Sequence, residues 1–262
     1  MTPGSSGYFT PAAPRILAHR GLHVEAPENT MLAFAKAVAL GVDYVETDVH
    51  ATRDGVAVIS HDPDLRRIAG RDERLRDLDW SDVSGIRLAD DQRLPSLIEA
   101  LDAFPDTRFN IDVKVDEAVE PTIQAIRRAG ATERVLVTSF SHARRRRVVA
   151  GLPGVATSAS SRGVIGVVVA GLVPAGATRR WLLHRAVAGC GAIQVPERRG
   201  PVRIVTERRI RDLASVGVET HVWTVDRPAD MRRLVAMGVQ GLVTDRADLA
   251  VVETPRGSSP PL

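Results

Sequence analysis

The sequence predicts an α/β chain closed into a (β/α)8 barrel, a TIM barrel, with a small insertion after the second strand. Three observations carry this reading. Short β-rich runs alternate with longer helix-like runs, the order that builds a parallel sheet with helical crossovers. Eight such strand-like runs fall within about 240 residues, which suits a closed barrel better than the open, doubly wound sheet that the same alternation allows. Glycine stands just past several helical runs, at Gly41, Gly130, Gly217 and Gly238, where a left-handed residue closes a helix before the next strand.

Taken in order, Met1 to Pro14 is rich in Pro, Gly and Ser and is expected to be a disordered tail, with the barrel over 15–253. Strands are expected at Ile16–Arg20, Tyr44–Ala51, Arg108–Lys114, Arg134–Phe140, Val155–Ala159, Ala192–Pro196, Glu219–Val225 and Gly241–Thr244. Helices are expected at Thr30–Leu40, Leu97–Ala103, Ala118–Ala129, His142–Ala150, Glu207–Val216 and Ala229–Met237. One unit departs from the alternation. Asp54-Gly55 sits between two β-rich runs, which signals a hairpin into a short extra strand, Val56–His61. The polar, Arg- and Asp-rich stretch from Asp62 to Arg93 is too long for a simple loop, so it reads as an insertion over the barrel mouth that shapes substrate access. Residues 254–262 read as a second disordered tail.

Composition narrows the function. Of 262 residues, 44% are hydrophobic and 26% charged, as in soluble globular proteins, and the net charge is only +3. That balance favours anionic substrates in general without pointing to nucleic acid, and with 4% aromatic residues there is no base-stacking platform. A single cysteine, Cys190, excludes an internal disulfide and fits a reducing, cytoplasmic compartment. The N-terminus lacks the apolar segment of a signal peptide. The longest apolar run, Gly163–Val173, is shorter than the roughly 20 residues a membrane span needs. It reads as a buried helix or loop, with a greasy lip beside the site as the alternative.

The chemistry concentrates near the start: Ala18-His19-Arg20-Gly21, Pro27-Glu28-Asn29-Thr30, Glu46-Thr47-Asp48, Asp54-Gly55 and His61-Asp62. In a (β/α)8 barrel the active site lies at the C-terminal ends of the strands. His19 and Arg20 end the first strand, and His61 ends the hairpin strand. Glu46 and Asp48 share one face of the second strand, and Asp112 and Lys114 repeat that i, i+2 spacing in the third. Three carboxylates facing inward repel one another, each pair by roughly 4 kcal/mol at 4 Å and an effective dielectric near 20. One bound divalent cation, Mg²⁺ or Ca²⁺, reverses that sign with all-oxygen ligation. Two histidines titrating near neutrality supply the base and the acid that a phosphodiester needs. Arg20 and Lys114 suit the phosphate oxygens.

Together these motifs resemble the glycerophosphodiester phosphodiesterases, within the phospholipase C-like phosphodiesterases. So do Leu94-Pro95-Ser96-Leu97, Asn110-Ile111-Asp112-Val113-Lys114, Ser139-Phe140, Trp223-Thr224-Val225 and Gly241-Leu242-Val243-Thr244-Asp245, and the resemblance runs from about Ile16 to Leu249. It implies hydrolysis of a small glycerophosphodiester to an alcohol and sn-glycerol 3-phosphate. By the resemblance, His19 and His61 are the acid/base pair, Glu46, Asp48 and Asp112 are metal ligands, and Arg20 and Lys114 bind phosphate. Glu28 and Asn29 support the site, and Phe140 and Trp223 wall the pocket. One position departs: the third-strand ligand is usually Glu in the family and here is Asp112, about 1.5 Å shorter in reach. That leaves either a bridging water or a cation held closer to that strand.

The remaining motifs read as less specific. Arg144–Arg147 circles a helix and reads as a solvated face. Arg198 and Arg199 follow the sixth barrel strand, within reach of a charged head group at the mouth. His50 reads as structural, and His23, His142, His184 and His221 have no distinguishing context, nor do Trp80 and Trp181. A lysophospholipase D, with the same chemistry on a lysolipid, is the alternative reading, and a barrel that binds a phosphorylated ligand without turnover is a further one. No stable membrane insertion and no nucleic-acid partner are expected, and the chain is expected to be a monomer or homodimer.

Overall fold

The computed structural model describes residues 7–24 and 26–254. In chain order the strands are β1 (Arg15–His19), β2 (Tyr44–Ala51), the short β3 (Ala57–Ile59), β4 (Arg108–Val113), β5 (Val135–Thr138), β6 (Ala156–Thr157), β7 (Ala192–Val195), a small hairpin of β8 (Arg198–Arg199) and β9 (Val202–Arg203), then β10 (Glu219–Val222) and β11 (Gly241–Thr244). Eight of them run parallel in the order β6-β5-β4-β2-β1-β11-β10-β7, with β3 pairing antiparallel to β2 as the Asp54-Gly55 turn predicts. Between β6 and β7 the ring closes through a bridge from Ser158 to Ala192. There the Gly191 N–H donates to Thr157 O at 3.0 Å and the Ala159 N–H to Ala192 O at 2.9 Å. This is the expected (β/α)8 barrel.

The helices are α1 (Met31–Ala39), α2 (Arg66–Ala69), α3 (Trp80–Ser84), α4 (Leu97–Ala103), α5 (Val119–Arg128), α6 (His142–Gly151), α7 (Ser161–Ala170), α8 (Ala177–Ala186), α9 (Glu207–Ala214), α10 (Pro228–Ala236) and α11 (Ala247–Glu253). Caps begin several of them. The Thr30 hydroxyl accepts from Ala33 N at the start of α1, and Ser96 and Glu99 form a reciprocal capping box on α4. Each such cap contributes about 1 kcal/mol. The main core lies between the outer faces of the strands and these helices, with Phe34, Phe109, Ile111 and Leu101 fully buried. The Gly163–Val173 run, expected as a buried helix or loop, is helical through α7 but not buried throughout, since Ile165, Val169 and Leu172 are exposed, and α8 lies outside the sequence-based expectation. The two helices approach closely because α7 offers glycines: a Cβ on Gly163 would lie 2.8 Å from Ala186 O, and one on Gly166 2.8 Å from Ala186 Cβ.

Inside the barrel the side chains alternate by strand parity. The lower layer holds Leu17, Tyr44, Leu136, Ala156, Ala192 and Val243, and Tyr8 seals it from below, fully buried. Residues 7–14 are therefore not the disordered tail that their composition suggests. Gly7–Phe9 forms a short 3-10 turn, and the Tyr44 hydroxyl donates to Tyr8 O at 2.8 Å. Burying one aromatic ring contributes roughly 2–3 kcal/mol, enough to anchor a short segment that looks like a tail by composition. Residues 1–6 and 255–262 of the two expected tails lie outside the described residues.

The stretch 62–93 carries α2, α3 and two 3-10 turns. It has its own apolar cluster, in which Leu65, Leu75, Val83, Ile86 and Leu88 pack on Val58 of β3.

Candidate active site

Register brings the polar residues to one level. His19 stands opposite Glu46 across β1 and β2, Glu46 opposite Asn110, and Asp48 opposite Asp112 across β2 and β4. Parity points Glu46, Asp48, Asn110 and Asp112 into the barrel, above the apolar layer.

Gly21, with φ of +83°, turns the chain after His19 and Arg20 so tightly that a Cβ there would lie 2.7 Å from the backbone of Ala33. Only glycine fits, which gives the His-Arg-Gly run a physical reason. Arg20 and Asn29 also have positive φ, both +57°. The Thr47 hydroxyl donates to Asn29 Oδ1 at 2.8 Å, fixing that loop to β2.

The histidines are oriented by carboxylates. His19 Nδ1 donates to Asp245 Oδ1 at 2.6 Å, and His23 Nε2 reaches the same oxygen at 3.1 Å. An ionised carboxylate only accepts, so His19 carries its proton on Nδ1 and turns Nε2 toward Glu46, 3.8 Å away. Burial works against the His19 imidazolium, but the Asp245 hydrogen bond and, when Glu46 is ionised, the charge of Glu46 outweigh it, so its pKa is raised. Burial opposes ionisation of Asp245, yet the two imidazoles hold it far below the usual carboxylate range. His61 Nδ1 pairs with Asp62 Oδ1 at 2.8 Å. His50, buried in β2, donates from Nε2 to the His61 carbonyl at 3.2 Å, the structural role expected of it.

The carboxylates and cations interlock. Lys114 Nζ lies 2.6 Å from Asp48 Oδ1 and 2.7 Å from Asp112 Oδ2. Burial alone would depress the Lys114 ammonium, but those two carboxylates raise its pKa. Glu46 has no cation so close, only the Arg20 backbone N–H at 3.4 Å and His19 Nε2 at 3.8 Å, and burial first, then the charge of Asp48, push its pKa up to about 8. Burial likewise raises Asp112 against the pull of Lys114. Arg20 Nη1 donates to Glu28 Oε1 at 3.0 Å, while its Nε lies 3.3 Å from Asp48 Oδ2 without hydrogen-bond alignment. Arg67 of α2 donates to Glu28 at 2.7 Å and to Asp62 at 2.5 Å. At the rim the Phe140 and Trp223 rings meet edge-on at 6.2 Å, with Phe140 62% exposed.

A mouth with oriented imidazoles, inward carboxylates and two fixed cations is equipped for proton transfer at an anionic ester. The sequence model of the Glycerophosphoryl diester phosphodiesterase family matches residues 19–249. A probable glycerophosphodiester phosphodiesterase 2 of Mycobacterium tuberculosis is 43% identical over 234 residues, 89% of this chain and 88% of that protein. The chain belongs to the glycerophosphodiester phosphodiesterase family. It is a phosphoric diester hydrolase. Its fold also matches that of an Oleispira antarctica phosphodiesterase solved with the product sn-glycerol-3-phosphate, with a TM-score of 0.75 at 19% identity, covering 92% of this chain and 96% of the other. A human lysophospholipase D is 40% identical over a shorter span of 116 residues, 39% of this chain and 37% of that protein.

In this phosphodiesterase the structure gathers His19, Arg20, Glu28, Asn29, Glu46, Asp48, Asp112 and Lys114 on the first three barrel strands and their loops, with His61 on the adjoining hairpin. Three partners carry no role in the sequence reading: Asp245, His23 and Arg67. For Asp245 the signal was available, since counting parity from Val243 points it inward beside His19. His23 and Arg67 sit in loop and insertion, where no periodicity reports direction. The Arg144–Arg147 run is not a uniformly solvated face: Arg145 is buried, and Arg144 pairs with Asp116 at 2.7 Å. Arg198 and Arg199 stand exposed in β8. Among the described residues no helix is long and apolar enough to cross a membrane.

Proposed function

We propose that this hydrolase cleaves small glycerophosphodiesters to an alcohol and sn-glycerol 3-phosphate in a cation-dependent reaction, with His19 and His61 as the acid/base pair. The observation that carries the reading is the pair of imidazoles, each held by its own carboxylate, Asp245 and Asp62. Each ring therefore has one nitrogen committed and one free for the substrate. One histidine takes the proton of the attacking oxygen and the other gives a proton to the leaving alkoxide. Each such group is worth ~10²–10⁴ in rate.

Glu46, Asp48 and Asp112 fit one divalent cation, Mg²⁺ or Ca²⁺. Asp48 Oδ2 and Asp112 Oδ1 are buried with no hydrogen-bond donor, and Glu46 is buried beside like charge. Oxygen lone pairs left over in this way suit a hard ion. A bound ion would neutralise these carboxylates and polarise a phosphate oxygen. His19, His23 and Asp245 also bring three ligand-type atoms within 4.8 Å of one another. Asp245 Oδ1 already meets both imidazoles, so this reading leaves the three residues to orient His19. Arg20 and Lys114, held by Glu28 and by Asp48 with Asp112, are placed to meet the phosphate oxygens, and Asn29 ties the loop after Arg20 to β2. Phe140 and Trp223 would wall the alcohol side. Cys190 is buried and unpaired, in keeping with a cytoplasmic setting.

The test is incubation with glycerophosphocholine and Mg²⁺ or Ca²⁺, with a chelator control, measuring released glycerol 3-phosphate. Ion-dependent release that is lost in His19→Ala supports the reading. Absence of release with either ion overturns it. The exposed Phe140 beside Trp223 favours a second reading, a lysophospholipase D, which requires higher activity on lysolipid micelles than on the water-soluble diester.

A further inference from the structure

Sixty-three consecutive residues, 134–196, contain nine arginines and no aspartate or glutamate. The rest of the chain holds all 32 acidic residues against 26 basic ones, so a net charge of +3 conceals a basic wall and an acidic remainder. The stretch runs from β5 through β7 and carries α6, α7 and α8 on the outside of the barrel. Some of its arginines are used internally, as Arg179 is with Asp212 at 3.2 Å. Arg162 and Arg180 are exposed and have no carboxylate partner among the described residues, and Arg185 lies 5.0 Å over the exposed Trp181 ring.

The same wall carries an apolar stripe. Ile165, Val169 and Leu172 recur at the spacing that places them on one face of α7 and the turn after it, and they are 60%, 53% and 81% exposed. Gly163, Val167 and Ala170 form the buried face of α7, and Gly163 and Gly166 seat it against α8, leaving the stripe outward. Of the ten large apolar side chains exposed among the described residues, five fall in this acid-free quarter of the chain. The stripe begins beside the mouth: the Ser161 N–H donates to Phe140 O at 3.3 Å.

We propose that the α7–α8 wall is a peripheral docking surface for an anionic lipid bilayer. Ile165, Val169, Leu172 and Trp181 enter the interface while Arg162, Arg180 and Arg185 meet lipid phosphates. Charge complementarity sets the sign of the partner, since α7 and α8 carry no carboxylate of their own and Asp212, which meets α8, is paired with Arg179. The apolar stripe sets its class: a bilayer takes up apolar side chains several ångströms deep, whereas a nucleic acid of the same charge leaves them in water. Arginine flanks and a tryptophan are the composition that an interfacial helix pair uses.

The test is co-sedimentation of the full chain with phosphatidylcholine vesicles, with and without phosphatidylglycerol. Binding is expected only with the anionic lipid, with a blue shift of Trp181 emission. Arg162→Gln and Arg180→Gln are each expected to weaken it about fivefold. Val169→Asp and Leu172→Asp are expected to weaken it by about tenfold or more. All four variants should keep the parent melting temperature and the parent turnover of glycerophosphocholine. Absence of binding to anionic vesicles overturns the proposal, and so do apolar-face variants that bind like the parent. Tight binding to duplex DNA that only the arginine variants weaken assigns the wall to polyanions and also overturns it. The readout is binding, so its failure is separate from any failure of the hydrolytic reading.

Discussion

His19 Nδ1 meets Asp245 Oδ1 at 2.6 Å, joining the last residue of β1 to the first residue after β11. The carboxylate fixes the tautomer and favours the imidazolium, and His23 on the same oxygen limits its swing. In Asp245→Asn the amide can donate to Nδ1 and so stabilise the wrong tautomer. The expected result is a kcat lower by about 10²–10⁴ with little change in melting temperature. Loss of the anion also lowers the His19 pKa, so its titration by NMR moves to lower pH. An unmoved titration would refute the orienting role.

Arg67 links two halves of the mouth, since it holds Glu28, the partner of Arg20, and Asp62, the partner of His61. Arg67→Ala frees both at once. A small displacement of a catalytic group costs up to about 10² in rate, so kcat should fall by roughly 10- to 100-fold while the protein stays folded. Arg67→Lys should recover only part of this, because one ammonium cannot form the same fork. Parent-level kcat in Arg67→Ala would show that α2 plays no part in positioning.

Without an ion, Glu46 titrates at about 8 because it is buried beside Asp48. At pH 7 it is therefore mostly protonated, and a divalent ion must displace that proton to bind. Calorimetry in buffers of different ionisation enthalpy should show about one proton released per ion at pH 7, falling toward none above pH 9. Ion affinity should weaken as pH drops below 8. Enthalpies that do not depend on the buffer would place the ion elsewhere.

At the barrel floor Arg15 and His221 hold Glu219. Burial opposes its ionisation, but their hydrogen bonds and charges bring its pKa down to about 2. A carboxylate depressed in the folded state stabilises the fold above its unfolded pKa, and that contribution disappears as pH falls from about 4.5 through 2. The shift corresponds to on the order of 3 kcal/mol. Acid unfolding of Glu219→Gln should accordingly show a flatter dependence on pH across that window than the parent.

Tyr8 should matter to stability and not to chemistry. Tyr8→Ala removes the ring that closes the lower layer and is expected to cost about 3–5 kcal/mol, read from denaturant midpoints. The kcat of the folded fraction should be unchanged, because the ring lies below the apolar layer and the reacting groups lie above it.

The barrel was legible because its strands are short β-rich runs closed off by Gly41, Gly130, Gly217 and Gly238, and because parity along β2 and β4 alone sends Glu46, Asp48 and Asp112 inward. What stayed hidden follows a common physical pattern. Asp245 meets His19 from 226 positions away, and no local period reports a contact closed only by the ring. Tyr8 and Phe9 are the two aromatics in a Gly-, Ser- and Pro-rich segment, so composition outweighed the two side chains that decide its packing. The exposed face of α7 and the whole of α8 escaped because α7 is apolar on more than one side and α8 is punctuated with arginines, which blurs the amphipathic pattern that marks α5 and α9.

The ring closes between its first and last strands, with Leu17 in register with Val243. During synthesis β1 leaves the ribosome before the other barrel strands and waits for its partner β11. Until then His19 lacks Asp245, the lower layer lacks Val243, and the wall beside β1 is open. The order of translation therefore holds back completion of the candidate site until β11 and Asp245 have been made, so a chain truncated before residue 241 should be inert however well its earlier units have packed.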